Sequence, residues 1–489
     1  MKYEVVIGLE THAELDTESK LFCGCSTKFG SEPNTQTCPV CLGLPGVLPV
    51  MNKKAFGHSL KAAVALHCEI NQFTNFDRKS YYYPDLPKNY QTSQNYFNIG
   101  DNGYVDMVVA GKGKRIDIHN VHLEEEAGKL IHPEASDAKY SLVDFNRAGV
   151  PLLEIVTQPD MRSIEEVESY MQTLRNILLY IGVSDCKMQE GSLRFEASVS
   201  LREHGSTVFG NRVEIKNLNS MKAVSKVLAY EISRQSNMLD DDKEVLLETR
   251  LWDEADGVSR RMRTKEDAHD YRYFPEPDLV PFSINQEWID ETKATIPELP
   301  VSRRQRFVDE LSVSDYDAGI LTEDKFLADY FEECVAISQD SSKEFSNWII
   351  NDVLRELNDR KINVQDFVVS PKMLAELVKI KPTIGSSIAK EVFAEMINTG
   401  KSASAIVKEK DLTQMDDTSE LNDIVIKIIE ENPKAVEDYG LGKKNALAFL
   451  IGQTMKITKG KANPKINGII YAKIVFHLKV KLLSYTSLA

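Results

Sequence analysis

Residues 3–15, YEVVIGLETHAEL, read as a β-strand, and that reading decides how the first half of the chain folds. Successive side chains on a strand face opposite ways, so Val5, Ile7, Leu9 and Leu15 share one face while Glu10, His12 and Glu14 share the other. One face is apolar and the other is equipped to hold a cation. The design recurs in residues 192–201, SLRFEASVSL, where Leu193, Phe195, Ala197, Val199 and Leu201 oppose Arg194 and Glu196. It recurs again in residues 211–217, NRVEIKN, where Val213 and Ile215 oppose Arg212, Glu214 and Lys216. Residues 113–130, GKRIDIHNVHLEEEAGKL, alternate through Ile116 and Ile118 and end on Glu124, Glu125 and Glu126, three adjacent carboxylates that repel one another unless water or a cation separates them. Several half-polar strands predict an α+β first domain, an antiparallel one-sided sheet forming a cradle with a charged floor. Residues 163–182 and 221–238 have the helical spacing of its covering helices.

The chain has 489 residues, too many for one core, and its length suggests about three domains. With 42% apolar and 27% charged residues its composition is that of a soluble globule, and no apolar run approaches the roughly 18 residues of a membrane span. A strand pattern begins at once, without a secretory leader, so a cytoplasmic location is expected. The net charge of −15 excludes a protein that coats nucleic acid by bulk electrostatics, while leaving open a local patch for a specific RNA.

Four of the seven cysteines lie in residues 23–41, CGCSTKFGSEPNTQTCPVC. Cys23 and Cys25 form one short knuckle and Cys38 and Cys41 another, with twelve residues between them. Two such pairs folded together make a tetrahedral four-thiolate zinc site, structural because it has no open position. The alternative is that some of them are small buried hydrophobes; Cys68, Cys186 and Cys334 stand alone and are expected to be ordinary core or surface thiols.

The stretch RKSYYYPDLPKNYQTSQ, residues 78–94, has a run of three tyrosines and two prolines that exclude a helix interior. Its Lys79 and Lys88 meet a phosphate or carboxylate, or are solvated lysines on a packed loop. Asp144, Asn146 and Arg147 form a polar cluster before an apolar strand, and Arg260, Arg261, Arg263, Lys265 and Arg272 mark where a polyanion could be held. Carboxylates with one imidazole suit magnesium, which commonly accompanies nucleotide phosphates. Neither a P-loop nor a clear G-x-G-x-x-G after a strand is present, so an ATP site here is of another kind.

From about Ile296 the pattern becomes helical with short polar connections, and Gly400 reads as a helix C-cap. The segment from Lys456 to Ala489 carries seven lysines and no acid, and residues 466–489 read as an atypical tail, expected to be disordered or loosely packed.

Taken in order, GLETHAEL (8–15), the cysteine box, YYYPDLPKNYQTSQ (81–94), HLEEEAGK (122–129), DFNRAGVPLLEIV (144–156), EIKNLNS (214–220) and HDYRYFPEPDL (269–279) resemble the B subunit of bacterial aspartyl/glutamyl-tRNA amidotransferases. The resemblance runs from Tyr3 to about Pro464. It implies a cradle similar to glutamine synthetase in residues 1–293, a helical domain in 294–406 and a tRNA-contacting helical tail in 407–465. It also implies a ligase activity: ATP and magnesium phosphorylate the side-chain carboxylate of Glu-tRNA(Gln) or Asp-tRNA(Asn), and ammonia then displaces the phosphate. The ammonia would come from a glutaminase A subunit of the amidase type, clasped to this chain by a small C subunit; the chain shows no amidase nucleophile motif of its own. By motif, Glu10, His12, Glu124, Glu125 and Glu214 become the catalytic cluster, with His12, Glu125, Glu214 and Glu10 as magnesium ligands. Lys79, Lys88, Arg147 and Lys216 become phosphate or ammonia-channel residues. A second reading is a zinc-stabilised tRNA-binding scaffold without its own catalytic centre. The two differ in whether Glu10, His12, Glu125 and Glu214 converge in one pocket or scatter.

Overall fold

The structure, a computed structural model, describes residues 2–133, 139–264, 271–412, 418–441, 443–458 and 471. The chain divides into two compact units, residues 1–303 and 304–489.

The first unit is built on a nine-stranded sheet. Its strands are β1 (Tyr3–Glu14), β2 (Glu69–Ile70), β3 (Gly100–Val109), β4 (Lys112–Glu125), β5 (Pro151–Thr157), β6 (Leu193–Glu203), β7 (Val213–Lys216), β8 (Glu248–Asp253) and β9 (Val258–Thr264). They lie in the order β9-β8-β7-β6-β1-β5-β4-β3-β2, which puts the opening strand of the sequence at the centre. β1 is antiparallel to both neighbours, β5 and β6. The expectation of an antiparallel sheet is corrected at one place: β7 and β8 pair in parallel. Parallel neighbours cannot be joined by a hairpin, and helix α3 (Met221–Asp240), which lies between them in sequence, supplies the crossover.

Alternation sorts the two faces as expected. Ile7 and Leu9 of β1, Leu153 and Ile155 of β5, and Phe195 and Val199 of β6 join one apolar core with Phe56 and Leu60 of α1 (Lys53–Ala65), Leu174 and Leu178 of α2 (Ile164–Tyr180), and Val224 and Leu228 of α3. Ser163 caps α2 by accepting from the Glu166 N–H, and Glu165 and Glu166 in its first turn suit the positive end of the helix dipole. The YYYPD segment is a loop between two short strands, Asp77–Ser80 and Tyr90–Ser93, which pair with each other; the first also pairs with Phe274–Pro275.

Among the described residues, the regular elements of the second unit are all helical. One apolar cluster spans Phe307 to Val407, and a smaller one contains Leu421, Val425, Ile428, Leu450 and Tyr471. Gly400 ends the helix Ser386–Thr399 in the left-handed region (φ 68°), donating its N–H to the Met396 carbonyl. Of the atypical tail, residues 466–470 and 472–489 lie outside the described residues; Tyr471 is buried and hydrogen-bonds the Thr454 hydroxyl (2.7 Å).

Behind the sheet, α3 is tied to β8 and β9 by an ionic network. The fully buried Glu231 of α3 accepts from Arg234 (2.8 Å) and from the Ser259 hydroxyl, and pairs with Arg250 at 3.2 Å. Glu231→Ala would strand Arg234 and Arg250 beside a cavity. Removing one partner from a buried pair costs about 3–5 kcal/mol, against about 1 kcal/mol for an exposed-side cap such as Ser163→Ala. The expected outcome is a much larger drop in the guanidinium unfolding midpoint for Glu231→Ala than for Ser163→Ala.

Candidate functional site

Strand register assembles the site. On the polar face His12 stands opposite Glu154 of β5 and Arg194 of β6, Glu154 stands opposite His122 of β4, and Glu10 stands opposite Glu196 of β6. His12 Nε2 lies 3.2 Å from Glu154 Oε2, 3.5 Å from Glu10 Oε1 and 3.7 Å from Glu124 Oε1. His122 Nε2 lies 3.4 Å from the same Glu154 oxygen, while its Nδ1 meets Asn120 Oδ1 at 3.2 Å. Lys216 pairs with Glu196 (2.6 Å) and Glu214 (3.2 Å). Glu10, His12, Glu124, Glu154, Arg194, Glu196 and Lys216, with Lys79 and Tyr81, line a cavity of about 250 Å³.

Two overlapping triads in this cluster, Glu10–His12–Glu196 and His12–Glu124–Glu154, hold their ligand atoms within 4.8 Å of one another, the spacing of donors around one cation. The electrostatics agree. Burial opposes a charge on His12, yet the hydrogen bond and charge of Glu154, with Glu124 and Glu10, raise it to about 9, and His122 rises to about 10 for the same reason. Burial, and after it the neighbouring Glu154, pushes Glu10 up to about 7. Burial also opposes a charged Glu154, but the two imidazoles hold it well below the ordinary carboxylate range. Lys79 keeps its charge against burial because Glu124 and Glu154 face it. A divalent cation bound here would take over from the imidazole protons the task of neutralising buried acids.

Of the sequence-predicted residues, the structure brings Glu10, His12, Glu124, Lys79 and Lys216 to this cavity. Of the expected magnesium set of His12, Glu125, Glu214 and Glu10, two members lie outside both triads. Adjacent strand residues point to opposite faces, so Glu125 turns away from Glu124 to an ion pair with Lys88 and to the Thr92 N–H (2.8 Å). Glu214 lies on the polar face beyond Lys216, outside both triads. Arg147 donates to the Ala127 and Gly128 carbonyls (3.1 and 2.8 Å) and lines a different cavity. Glu154, Glu196 and His122 went unassigned in the sequence. The register of PLLEIV places Glu154 in step with His12, a signal that exists only once the pairing of β1 with β5 is known. In the basic stretch, Arg260 pairs with Asp253 (3.0 Å) and Arg261 with Glu248 (3.2 Å), and Lys265 lies outside the described residues.

The four box cysteines also converge, with their Sγ atoms within 4.8 Å of one another and Cys38 and Cys41 3.9 Å apart. A metal with roughly 2.3 Å metal–sulfur bonds in a tetrahedron would set sulfur atoms about 3.8 Å apart, so the donors fit and the cluster could hold a metal ion. Cys41 is drawn down to about 4, first by a hydrogen bond from Cys23 and further by the fully buried Lys20, whose Nζ lies 3.6 Å from its sulfur. The knuckle reaches the other ion pair directly. Gly43, at φ +66°, sits so close to Lys88 that a Cβ there would stand 2.5 Å from Lys88 Cγ.

Comparison with known proteins gives a match to the family described as "GatB/GatE catalytic domain" over residues 5–290 and to "GatB domain" over residues 329–474, ten residues beyond Pro464, near which the motif resemblance ends. Among the relatives is the B subunit of the aspartyl/glutamyl-tRNA(Asn/Gln) amidotransferase from Caldanaerobacter subterraneus subsp. tengcongensis, 55% identical over 95% of this chain and 98% of its own. The proteins of the same name from Thermoanaerobacter sp. and Carboxydothermus hydrogenoformans are 54% and 51% identical, covering 96% and 97% of this chain and 98% and 99% of their own. Among the described residues no helix is long and apolar enough to cross a membrane.

The cysteine geometry predicts that the purified protein carries about one metal ion per chain in a sulfur environment, and that Cys38→Ser releases it and lowers the thermal midpoint. Gly43→Ala is expected to lower that midpoint too, because it combines a left-handed backbone position with a forced displacement of Lys88. Elemental analysis and calorimetry check both.

Proposed function

The chain belongs to the family of aspartyl/glutamyl-tRNA(Asn/Gln) amidotransferase B subunits, and from that premise we propose that its polar-face cluster is where the side-chain carboxylate of Glu-tRNA(Gln) or Asp-tRNA(Asn) is phosphorylated by ATP and then amidated. Membership makes the chain a subunit of a tRNA-dependent amidotransferase, a ligase. The observation that carries the finer reading is the convergence of Glu10, His12, Glu124, Glu154 and Glu196 on one cavity with Lys79 and Lys216 at its wall. A scaffold without a catalytic centre has no use for that convergence.

In the first step a substrate carboxylate oxygen bonds to the γ-phosphorus of ATP, the bond from that phosphorus to the bridging oxygen breaks, and ADP leaves. In the second, ammonia bonds to the acyl carbon, phosphate leaves with the carbon–oxygen bonding pair, and the nitrogen loses a proton to give the amide. A magnesium ion held here would supply positive charge to offset that of the phosphate oxygens. Glu10, Glu124, Glu154, Glu196 and His12 are the residues that would hold it, with Glu154 and Glu196 in place of Glu125 and Glu214 in the sequence-derived set. Lys79 and Lys216 face the charge that spreads over the transferring phosphoryl oxygens. The acyl-phosphate chemistry is what supports a likeness to glutamine synthetase.

The ion at Cys23, Cys25, Cys38 and Cys41 is proposed to be zinc, in a structural role. Ammonia is supplied by an amidase-type glutaminase A subunit held by a small C subunit, and Lys88 with Glu125 lies between the thiolate knuckle and the cluster as a candidate for its entry. Catalysis is assigned to residues 1–293, with 294–406 as a helical linker and 407–465 as the tRNA-contacting tail, in the cytoplasm.

The test uses the chain assembled with its partner subunits, following ATP-dependent conversion of Glu-tRNA(Gln) to Gln-tRNA(Gln) as magnesium is varied. Loss of a cation ligand should cost at least the 10–100-fold in metal affinity that outer-shell changes cost, so Glu154→Gln is expected to raise the half-saturating magnesium concentration by about tenfold or more. Glu125→Gln should leave that concentration unchanged whatever it does to rate. No conversion by the wild type would overturn the function, and an unshifted magnesium dependence in Glu154→Gln would overturn the site.

A further inference from the structure

A second, larger cavity of about 690 Å³ adjoins the cluster and shares Lys79, Tyr81, Ala127 and Lys216 with it. Its volume lies in the roughly 300–1,000 Å³ range of sites for small organic groups. Its wall is aromatic: Tyr81, Tyr82, Tyr83 and Tyr271 line it, and Met262 adds a half-exposed apolar surface. The rings form a continuous series of edge contacts. Tyr81 meets Tyr271 at a centroid distance of 6.1 Å, Tyr271 meets Tyr273 at 6.0 Å, and Tyr273 meets Tyr96 at 6.5 Å. Tyr82 is 76% exposed and Tyr83 53%, and neither ring touches another aromatic ring among the described residues. Two consecutive tyrosines standing bare at the mouth of a cavity are a large apolar exposure for a loop, beyond what solubility or packing calls for.

The charged lining of the cavity is mostly basic, with Lys79, Lys216 and Arg272 against Asp85. Lys79 lies between the tyrosines and the acidic cluster, with its Nζ 5.3 Å from the Tyr271 ring centroid. Among the described residues that ammonium makes no hydrogen bond and no ion pair within 4.0 Å. Arg272 lines the same cavity from a left-handed backbone position (φ 44°), which a non-glycine residue adopts only when its surroundings hold it there. Exposed flat rings followed by a cation are the combination by which proteins hold unpaired nucleic acid, because every base offers a π-face and every nucleotide a negative charge.

Resting on the function proposed above, which makes the substrate an RNA esterified at an unpaired 3′ end, we infer that the tyrosine-lined cavity receives the terminal nucleoside of that RNA. The base stacks on Tyr82 and Tyr83 at the mouth. The esterified amino acid then extends inward past Lys79, whose ammonium meets its side-chain carboxylate before that group reaches the cluster. Recognition by stacking is tolerant of sequence and of the length of the amino-acid side chain. It therefore serves glutamyl and aspartyl ends alike, and discrimination between RNAs falls to contacts elsewhere.

The test is a cycle of protein and RNA truncations on the assembled enzyme. Binding of intact tRNA(Gln) and of the same tRNA lacking its unpaired 3′ nucleotides is measured for the wild type, Tyr82→Ala and Tyr82→Phe. Base–aromatic stacking carries a binding effect of about 5- to 100-fold per base. The expected result is that Tyr82→Ala weakens intact tRNA by that factor, that Tyr82→Phe restores it, and that the truncated tRNA binds all three proteins equally. Tyr82 is exposed, so its replacement leaves the fold in place, which a thermal midpoint equal to the wild type's verifies. Equal losses with both RNAs, or no loss with either, would overturn the inference. Wild-type amidation assayed alongside separates the outcomes: an active enzyme without the coupling sinks the stacking site alone, whereas an inactive one sinks the function on which it rests.

Discussion

His12, Glu154 and His122 stand side by side on β1, β5 and β4, the carboxylate between two imidazoles at 3.2 and 3.4 Å, and the first unit is arranged around keeping this row of charge below the surface. Taking an ion out of water costs several kcal/mol even after relaxation, so each member has to be matched by a neighbour in fixed geometry. A sheet is suited to this. Strands run about 4.8 Å apart, which sets residues in register on adjacent strands within reach of a shared hydrogen bond or a shared cation. The apolar rear face, with α1, α2 and α3 in one core, holds those strands still. The ionic knot of Glu231, Arg234, Arg250 and Glu248 fastens β8 and its crossover helix to the same frame.

The end of β4 shows how one run of sequence can serve three purposes. Glu124 turns to the cluster, Glu125 to Lys88, and Glu126 to Arg194 and Arg147. All three carboxylates are buried, and they tolerate adjacency because the pleat turns Glu125 away from Glu124 and Glu126, which both line the cavity, and because each meets a cation or imidazole. Through Glu125 and Lys88 the charged floor is mechanically joined to the cysteine knuckle, where Gly43 is pressed against the Lys88 stem. A metal held by the knuckle would thereby fix one wall of the first unit, although it would lie outside the polar-face cluster.

Much of this was legible from residues alone, since period-two alternation in YEVVIGLETHAEL, SLRFEASVSL and NRVEIKN needs nothing beyond itself to assign faces. The two-knuckle spacing of the cysteines was equally local. What was not legible depends on pairing. Glu154 is a single acid inside the apolar run PLLEIV, and only its register with His12 makes it the central carboxylate of the cluster. The parallel pairing of β7 with β8 is invisible because side-chain alternation is the same in either direction. Glu125 is the instructive case: the alternation used for β1 implies that it and Glu124 face apart, whereas the family motif places both in one catalytic cluster.

The charges around the cavity also bear on what it holds. Glu126 is matched by Arg194, leaving Glu10, Glu124, Glu154 and Glu196 against Lys79, Lys216 and the two imidazoles. Glu214 also faces Lys216 at 3.2 Å, so the acids outnumber the cations even with both imidazoles protonated, and Glu10, pushed up to about 7 by burial and then by Glu154, carries that excess. Exchanging the two imidazole protons for one divalent cation would leave the total charge unchanged while moving positive charge off the imidazole nitrogens. Glu10, at the cavity side of the cluster with 39% of its side chain open, is the acid best placed to gain from that move. The same exchange frees His12 to act as a neutral ligand. A site holding either protons or a metal at constant charge would need no rearrangement of the sheet to change between them, so the rigid nine-stranded frame would be compatible with a reversible cation.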